Sequence, residues 1–230
     1  MGNFLDSFKH SIYVTFIMED RYLFFLEGLW ATLLLTFSSF IFGTLLGILF
    51  CAMNRSKNKV VSGIGNFIIH VLIEMPTMVL LMIMVYIIFG YSALSVMSIV
   101  IVGLTFKAGA YLSEIFTTAL STVQSGEIEA ARTLGMSKYQ AFFYVALPQT
   151  IQVAMPLYMN QFILTMQETS VVGYLAIVDL TKAASIVSSR TMDAFFATII
   201  ITIIYFVIGY FAKLFFRHLS GKLNRNEVAA

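Results

Sequence analysis

Four ionisable side chains, Glu74, Lys107, Glu114 and Glu168, stand inside or beside long apolar runs. A charge at the centre of a bilayer-spanning helix costs roughly 2.5–3.5 kcal/mol on insertion scales, so such groups face a protein interior or a water-filled path. Lys107, Tyr111 and Glu114 follow at i, i+4 and i+7, which places them on one helical face. That face suits contact with a polar or charged solute. The structural alternative is that Lys107 and Glu114 pair with each other or with other helices. A second polar group, Gln167-Glu168-Thr169-Ser170, follows an apolar run interrupted by Pro148 and Pro156. Backbone groups freed there can meet a polar solute, or Thr169 and Ser170 can simply cap a helix. Asn160 and Gln161 are polar on an apolar helix, where such residues more often bond helix to helix than touch a ligand.

Covalent chemistry finds no support in the residue pattern. His10, His70 and His218 are scattered and Cys51 is the single cysteine, so neither a disulfide framework nor a zinc spacing arises. No nucleophile–base pair stands out. A phosphate-binding loop needs Gly-x-x-x-x-Gly-Lys-Ser/Thr. The single Gly-Lys pair, Gly221-Lys222, is followed by Leu223 and lacks the upstream glycine. ATP hydrolysis is therefore not expected of this chain.

The elements that must position these residues follow from composition. The chain has 230 residues, 59% hydrophobic, with 14 Lys+Arg and 12 Asp+Glu. A soluble domain of this length would carry roughly 58 charged side chains. The deficit excludes an ordinary soluble domain and disorder, and the net charge of +2 gives no reason to expect nucleic acid. About 20 apolar residues span a bilayer. Spans are predicted over 29–53, over 76–90 after an amphipathic lead-in at 60–72, and over 94–117, 141–166 and 194–216. The second is interrupted at Glu74 and Pro76, and the fourth contains Pro148 and Pro156. The stretch 167–193 is too polar for lipid and too apolar for a free loop, which fits a re-entrant or broken segment buried in protein. Gly43 and Gly47 form a GxxxG pair that permits close helix packing. Glu19 and Asp20 ahead of the first run are the wrong flank for a signal peptide.

Five spans put the termini on opposite sides. Arg55, Lys57, Lys59, Arg132, Lys138, Lys213, Arg217, Lys222 and Arg225 fall on one side; Lys9, Arg21, Lys182 and Arg190 fall on the other. The positive-inside rule then predicts an outer N-terminus and a cytoplasmic C-terminus, with 121–139 in the cytoplasm.

Residues 127–148 read EIEAARTLGMSKYQAFFYVALP. Ala130 and Ala131 are small and strongly helix-forming, and Gly135 can end such a helix. The spacing of Glu129-Ala130-Ala131, Gly135 and Leu147-Pro148 resembles the EAA signature of permease subunits of bacterial ABC importers. That signature ends in Ile-x-Leu-Pro, and here Val145 replaces the Ile. The runs 28–33, 110–115, 147–150 and 160–163, with Pro156, Thr169 and Ser170, resemble the polar amino acid branch. The resemblance extends from about residue 22 to 223.

The resemblance implies an all-α membrane protein with about five transmembrane helices in the type I ABC importer permease fold. An outer segment would cover 1–21, the permease domain 22–217 with a coupling segment at 124–139, and a cytoplasmic tail 218–230. Glu129, Ala130, Ala131 and Gly135 would dock on an ATPase subunit. Glu74, Lys107, Tyr111, Glu114, Gln161, Gln167, Glu168, Thr169 and Ser170 would line the solute path. The implied partners are two ATPases carrying ATP and Mg, a second permease subunit (a copy or a different chain) and an extracytoplasmic solute-binding protein. No metal or cofactor would be bound by the chain itself. The implied location is the bacterial cytoplasmic membrane. Relatives often carry Arg near Glu74 and at Thr117, and Lys-Asp where this chain has Gln167-Glu168, so the solute or the partner permease differs from theirs. The alternative class is a stand-alone ion-coupled transporter or channel, with Lys107, Glu114 and Glu168 as a relay.

Overall fold

The structure is a computed structural model describing residues 13–228, with side chains as far as His218. Lys9, His10 and the first twelve residues of the N-terminal segment lie outside the described residues, as do the side chains of Lys222 and Arg225. Every regular element described is helical.

Helix α1, Tyr22–Asn54, is 33 residues long. It starts seven residues before the expected span because the aromatic and aliphatic residues Tyr22–Phe25 continue its apolar run. At 1.5 Å per residue it measures about 50 Å, more than a bilayer core. Helix α4, Val96–Ser121, begins where Ser95 Oγ accepts from the Ser98 amide and packs along α1 as the most extensive helix pair. The glycine pair explains how close they come. A Cβ on Gly43 would stand 2.9 Å from Ala108 Cβ, and one on Gly47 2.8 Å from Leu112 Cβ. Leu35, Leu81, Val100, Leu104 and Leu112 have no exposed surface and form the core around this pair.

Between them lie α2, Lys59–Glu74, and α3, Thr77–Met82, which continues as a π-helical turn through Ile88. The two meet at 109° across Met75-Pro76. The expected second span is thus sharply bent, and neither arm reaches the length of a span alone. Proline disfavours helical backbone in the residue before it, and Met75 is extended with ψ 130.

Helix α5, Ser125–Thr133, and helix α6, Lys138–Ala141, form the polar hairpin after α4. A π-helical turn, Phe142–Ala146, leads into α7, Leu147–Glu168. Pro148 closely follows the π-helical turn, and Pro156 lies in the interior of α7.

The mixed stretch after α7 is a 3-10 helix, Thr169–Leu175, followed by α8, Leu180–Thr191. It is packed in protein, as its composition demands. Asp179, fully buried, caps α8 by accepting from the amides of Thr181 and Lys182 at 3.0 and 2.9 Å. Thr32 Oγ1 of α1 accepts from the Leu180 amide at 3.2 Å. Leu180, Ala183, Ala184 and Val187 then pack on Phe25. The last helix, α9, Ala194–Val228, runs past the expected span end, so the segment after 217 continues as helix.

Three helices (α1, α4 and α9 to His218) are long and apolar enough to cross a membrane; each of the two bent pairs, counted as one span, brings the number to five. Within their most apolar windows 56% of α4 is buried against 11% of α9, so α4 is central and α9 peripheral.

The α1–α8 junction is the tightest to test. A Cβ on Gly28 would lie 2.7 Å from the Asp179 carbonyl oxygen, which is backbone and cannot rotate away. Gly28→Ala is expected to lower stability by about 1–3 kcal/mol. Gly63→Ala, with nothing within 4 Å of the added methyl, should not. Thermal unfolding in detergent measures both, and equal melting temperatures would remove this junction as a constraint.

Candidate functional site

The break at Pro76 generates the site. Ending α2 leaves the carbonyls of its last turn without intrahelical partners. Lys107 of α4, only 3% exposed, reaches them: its ammonium donates to the carbonyls of Leu72 and Ile73 at 2.9 Å each, and to that of Met75. All three ammonium protons are used. The cation also complements the negative end of the α2 dipole. Beyond the break, Thr77 Oγ1 donates to Glu168 Oε1 at 3.1 Å. One side of the break is therefore held by α4 and the other by the end of α7.

A cavity of about 310 Å³ opens against this clamp, lined by Tyr111, Gln161, Leu164, Gln167 and Glu168. Four of the nine residues expected on the path meet here. Lys107 lies behind, 5.5 Å from the centroid of the Tyr111 ring. Glu74 and Glu114 are exposed on α2 and α4, Thr169 is buried and Ser170 half-buried. Thr169 Oγ1 donates back to the Met166 carbonyl at 2.7 Å, continuing the turn below Glu168. Gln161 is 3% exposed, yet its Nε2 has no partner among the described residues, and neither does the buried Glu168 Oε2. Asn160 is exposed on the opposite side of α7 from the core. Among the described residues no cluster of His, Cys, Asp or Glu could hold a metal ion.

The second candidate element is the α5–α6 hairpin. Gly135 has φ 92, a left-handed conformation open to glycine. Its amide donates to Arg132 O at 3.1 Å, and the Met136 amide to Ala131 O at 3.2 Å, the paired bonds of a Schellman termination. Two residues on, Ser137 and Gln140 form a capping box that starts α6. Ala131 is buried against the protein, while Glu129, Ala130 and Gly135 are exposed. Leu134 and Tyr139 beside them are also largely exposed. Arg55 Nη1 donates to Ser121 Oγ at 3.4 Å, which brings the C-terminal ends of α1 and α4 together at this end of the molecule.

Some residues that shape the site carried no readable signal. Asp179 and Thr32 fix α8, and the Thr181 and Tyr205 hydroxyls lie 3.2 Å apart between α8 and α9. That Asp179 is the one acid between Glu168 and Asp193 is the hint the sequence holds for it. Arg21, expected in an outer loop, is 5% exposed; it donates to the Val14 carbonyl at 2.7 Å and pairs with Glu19 at 2.9 Å.

A model of the family described as "Binding-protein-dependent transport system inner membrane component" matches residues 39–225. The chain is 29% identical to the probable amino-acid permease protein YxeN of Bacillus subtilis over 187 residues, covering 80% of this chain and 84% of that one. It is 29% identical to the histidine/lysine/arginine/ornithine transport system permease protein HisM of Salmonella typhimurium, covering 87% and 89%. A solved amino acid ABC transporter with histidines superposes with a TM-score of 0.79 at 30% identity, covering 87% of this chain and 94% of that chain. The MetNI methionine ABC transporter shares the fold, with a TM-score of 0.70 at 20% identity.

Lys107→Met removes the donors and strands three carbonyls. A hydrogen bond from a charged group contributes about 1.5–3 kcal/mol, so a loss of at least ~2 kcal/mol is expected. Glu114→Gln, at an exposed position, should change stability by less than about 0.5 kcal/mol. Unfolding of the purified chain in a detergent–SDS series reads the difference. If the two variants unfold together, the lysine does not hold the bend.

Proposed function

The chain belongs to the binding-protein-dependent transport system inner membrane component family, and from that premise we propose how it works as the permease subunit of an ABC importer. Its solutes are polar amino acids or related compounds, a reading supported by the amino-acid permeases it resembles over most of its length. A solute-binding protein delivers the solute from outside. Two permease subunits enclose a path, and two separate ATPase subunits, which carry ATP and Mg, drive its alternate opening. The second permease is a copy of this chain or a different one; the absence of a cation at Glu74 and Thr117 favours a different one. The charge asymmetry supports a cytoplasmic C-terminus and hairpin in the bacterial cytoplasmic membrane.

The observation that carries the coupling is the α5–α6 hairpin. It is short, exposed and rigidly terminated, and it presents Glu129, Ala130 and Gly135 outward with Ala131 as its footing. Small side chains allow a partner's surface to approach the backbone. The solute path passes the cavity of Tyr111, Gln161, Gln167 and Glu168, with Lys107 and Thr169 behind its wall, Glu114 further along α4, Ser170 just beyond α7 and Glu74 at the end of α2.

Co-expression with the genetically linked ATPase and solute-binding protein, followed by reconstitution, tests the proposal. ATP hydrolysis should rise with loaded binding protein. Gly135→Val forces a β-branched residue into the left-handed region, at a cost of about 1–2 kcal/mol, and breaks the Schellman turn. It should lower the stimulated hydrolysis at least ten-fold while leaving the melting temperature of the membrane helices in place. Full stimulation in that variant would rule out the hairpin as the coupling element. Accumulation of solute by the chain alone in vesicles, driven by an ion gradient, would establish the stand-alone carrier instead.

A further inference from the structure

We infer, building on the permease reading above, that Gln149 is a positioning residue for the coupling hairpin: through Glu127 it holds α5 at the setting from which an ATPase subunit can seat on it. Gln149 Nε2 donates to Glu127 Oε2, which joins the first turn of α7 to the first turn of α5. Glu129 and Ala130, the exposed residues of the docking face, stand on α5 one turn or less beyond Glu127. Gln149 touches no part of that face. It acts on it through the carboxylate.

Little else fixes the hairpin against the membrane helices. Within itself it is rigid, closed by the Schellman bonds at Gly135 and by the capping box of Ser137 and Gln140. The hydrogen bonds of Thr133, Ser137 and Gln140 all stay inside it. Its apolar footing is small. Ala131 is the one fully buried residue of α5, and a single methyl group is a weak anchor. Within the chain α5 packs chiefly on α6 and on the π-helical turn, not on a membrane helix. The backbone does not carry its orientation onward either. The turn at Phe142–Ala146 departs from the α-helical ladder, and Pro148 has no amide hydrogen to return to it. The Glu127–Gln149 bond passes over this weak link and fastens α5 to α7 beyond it. A hydrogen bond to an ionised acceptor is stronger than one between neutral groups, which suits a lone tie at an exposed position. A swing of the hairpin about the π-helical turn must break it.

The test uses this chain with its partner permease in nanodiscs, stripped of ATPase, with fluorescently labelled ATPase titrated back. Gln149→Glu sets two carboxylates against each other and should weaken ATPase binding at least five-fold. Gln149→Glu combined with Glu127→Gln re-forms the bond with its ends exchanged, at the net charge of the unaltered chain. It should return the affinity to within two-fold. Melting temperatures should agree in all three, because the contact lies at the exposed surface. An affinity unmoved by Gln149→Glu, or a loss that the exchanged pair does not repair, overturns the inference. A melting temperature that falls in step with the affinity also overturns it, by assigning Gln149 to the fold. If the unaltered pair binds ATPase and Gln149→Glu binds it equally, the permease reading stands and this assignment falls. If the unaltered pair binds no ATPase, the permease reading falls and the assignment falls with it.

Discussion

A helix that stops inside a membrane protein leaves carbonyls where no water can reach them, and a lysine buried in a span leaves a charge where no water can hydrate it. In this chain the two difficulties answer each other. Pro76 ends α2, and Lys107 places its ammonium on the carbonyls of Leu72, Ile73 and Met75. Either group alone would be costly. Together they fix where α2 ends relative to α4, and so the direction in which α3 departs. That direction brings Thr77 to Glu168 and closes the wall of the cavity. The bend and the cavity are consequences of one three-way contact.

Much of this was legible because lipid simplifies the code. Apolar run length set the spans, to within a turn or two at most ends, and the Gly43/Gly47 spacing foretold the close approach of α1 to α4, against Ala108 and Leu112. The i, i+4, i+7 rule correctly joined Lys107 and Tyr111 on one side of α4, but it gave no depth. Glu114 lies about 10 Å further along the axis than Lys107 and is exposed, although Ser113 beside it is buried. The partners of Lys107 were not readable, because they are backbone carbonyls, and every residue has one. Asp179 was hidden for the opposite reason: its neighbours Gly28 and Thr32 are some 150 positions away, and only the assembled fold brings them together.

The bent second span shows where run length fails. The residues 59–88 are apolar enough to be counted once, yet they form two arms at 109°. Hydropathy measures composition and is blind to the backbone restriction that Pro76 places on Met75. The same holds at 167–193, where composition indicated burial but not the form it takes, a 3-10 turn and a short helix capped by a buried carboxylate.

The hairpin and the cavity are joined by a single helix. The hairpin ends at α6, and the chain then runs through a π-helical turn into α7, whose far end carries Gln161 and Glu168. From Leu147 to Glu168 the helix extends about 30 Å. Gln149 at its near end is hydrogen-bonded to Glu127 of α5, so the base of that helix is tied directly to the hairpin. Pro156 and the π-helical turn lie along the way, where the hydrogen-bond ladder is weakest, and they are the places at which α7 can flex without unfolding. Lys107 holds the bend on the α4 side, while Thr77 ties it to Glu168 at the far end of α7. The hairpin, α7 and the bend are therefore linked in one unbroken series of contacts.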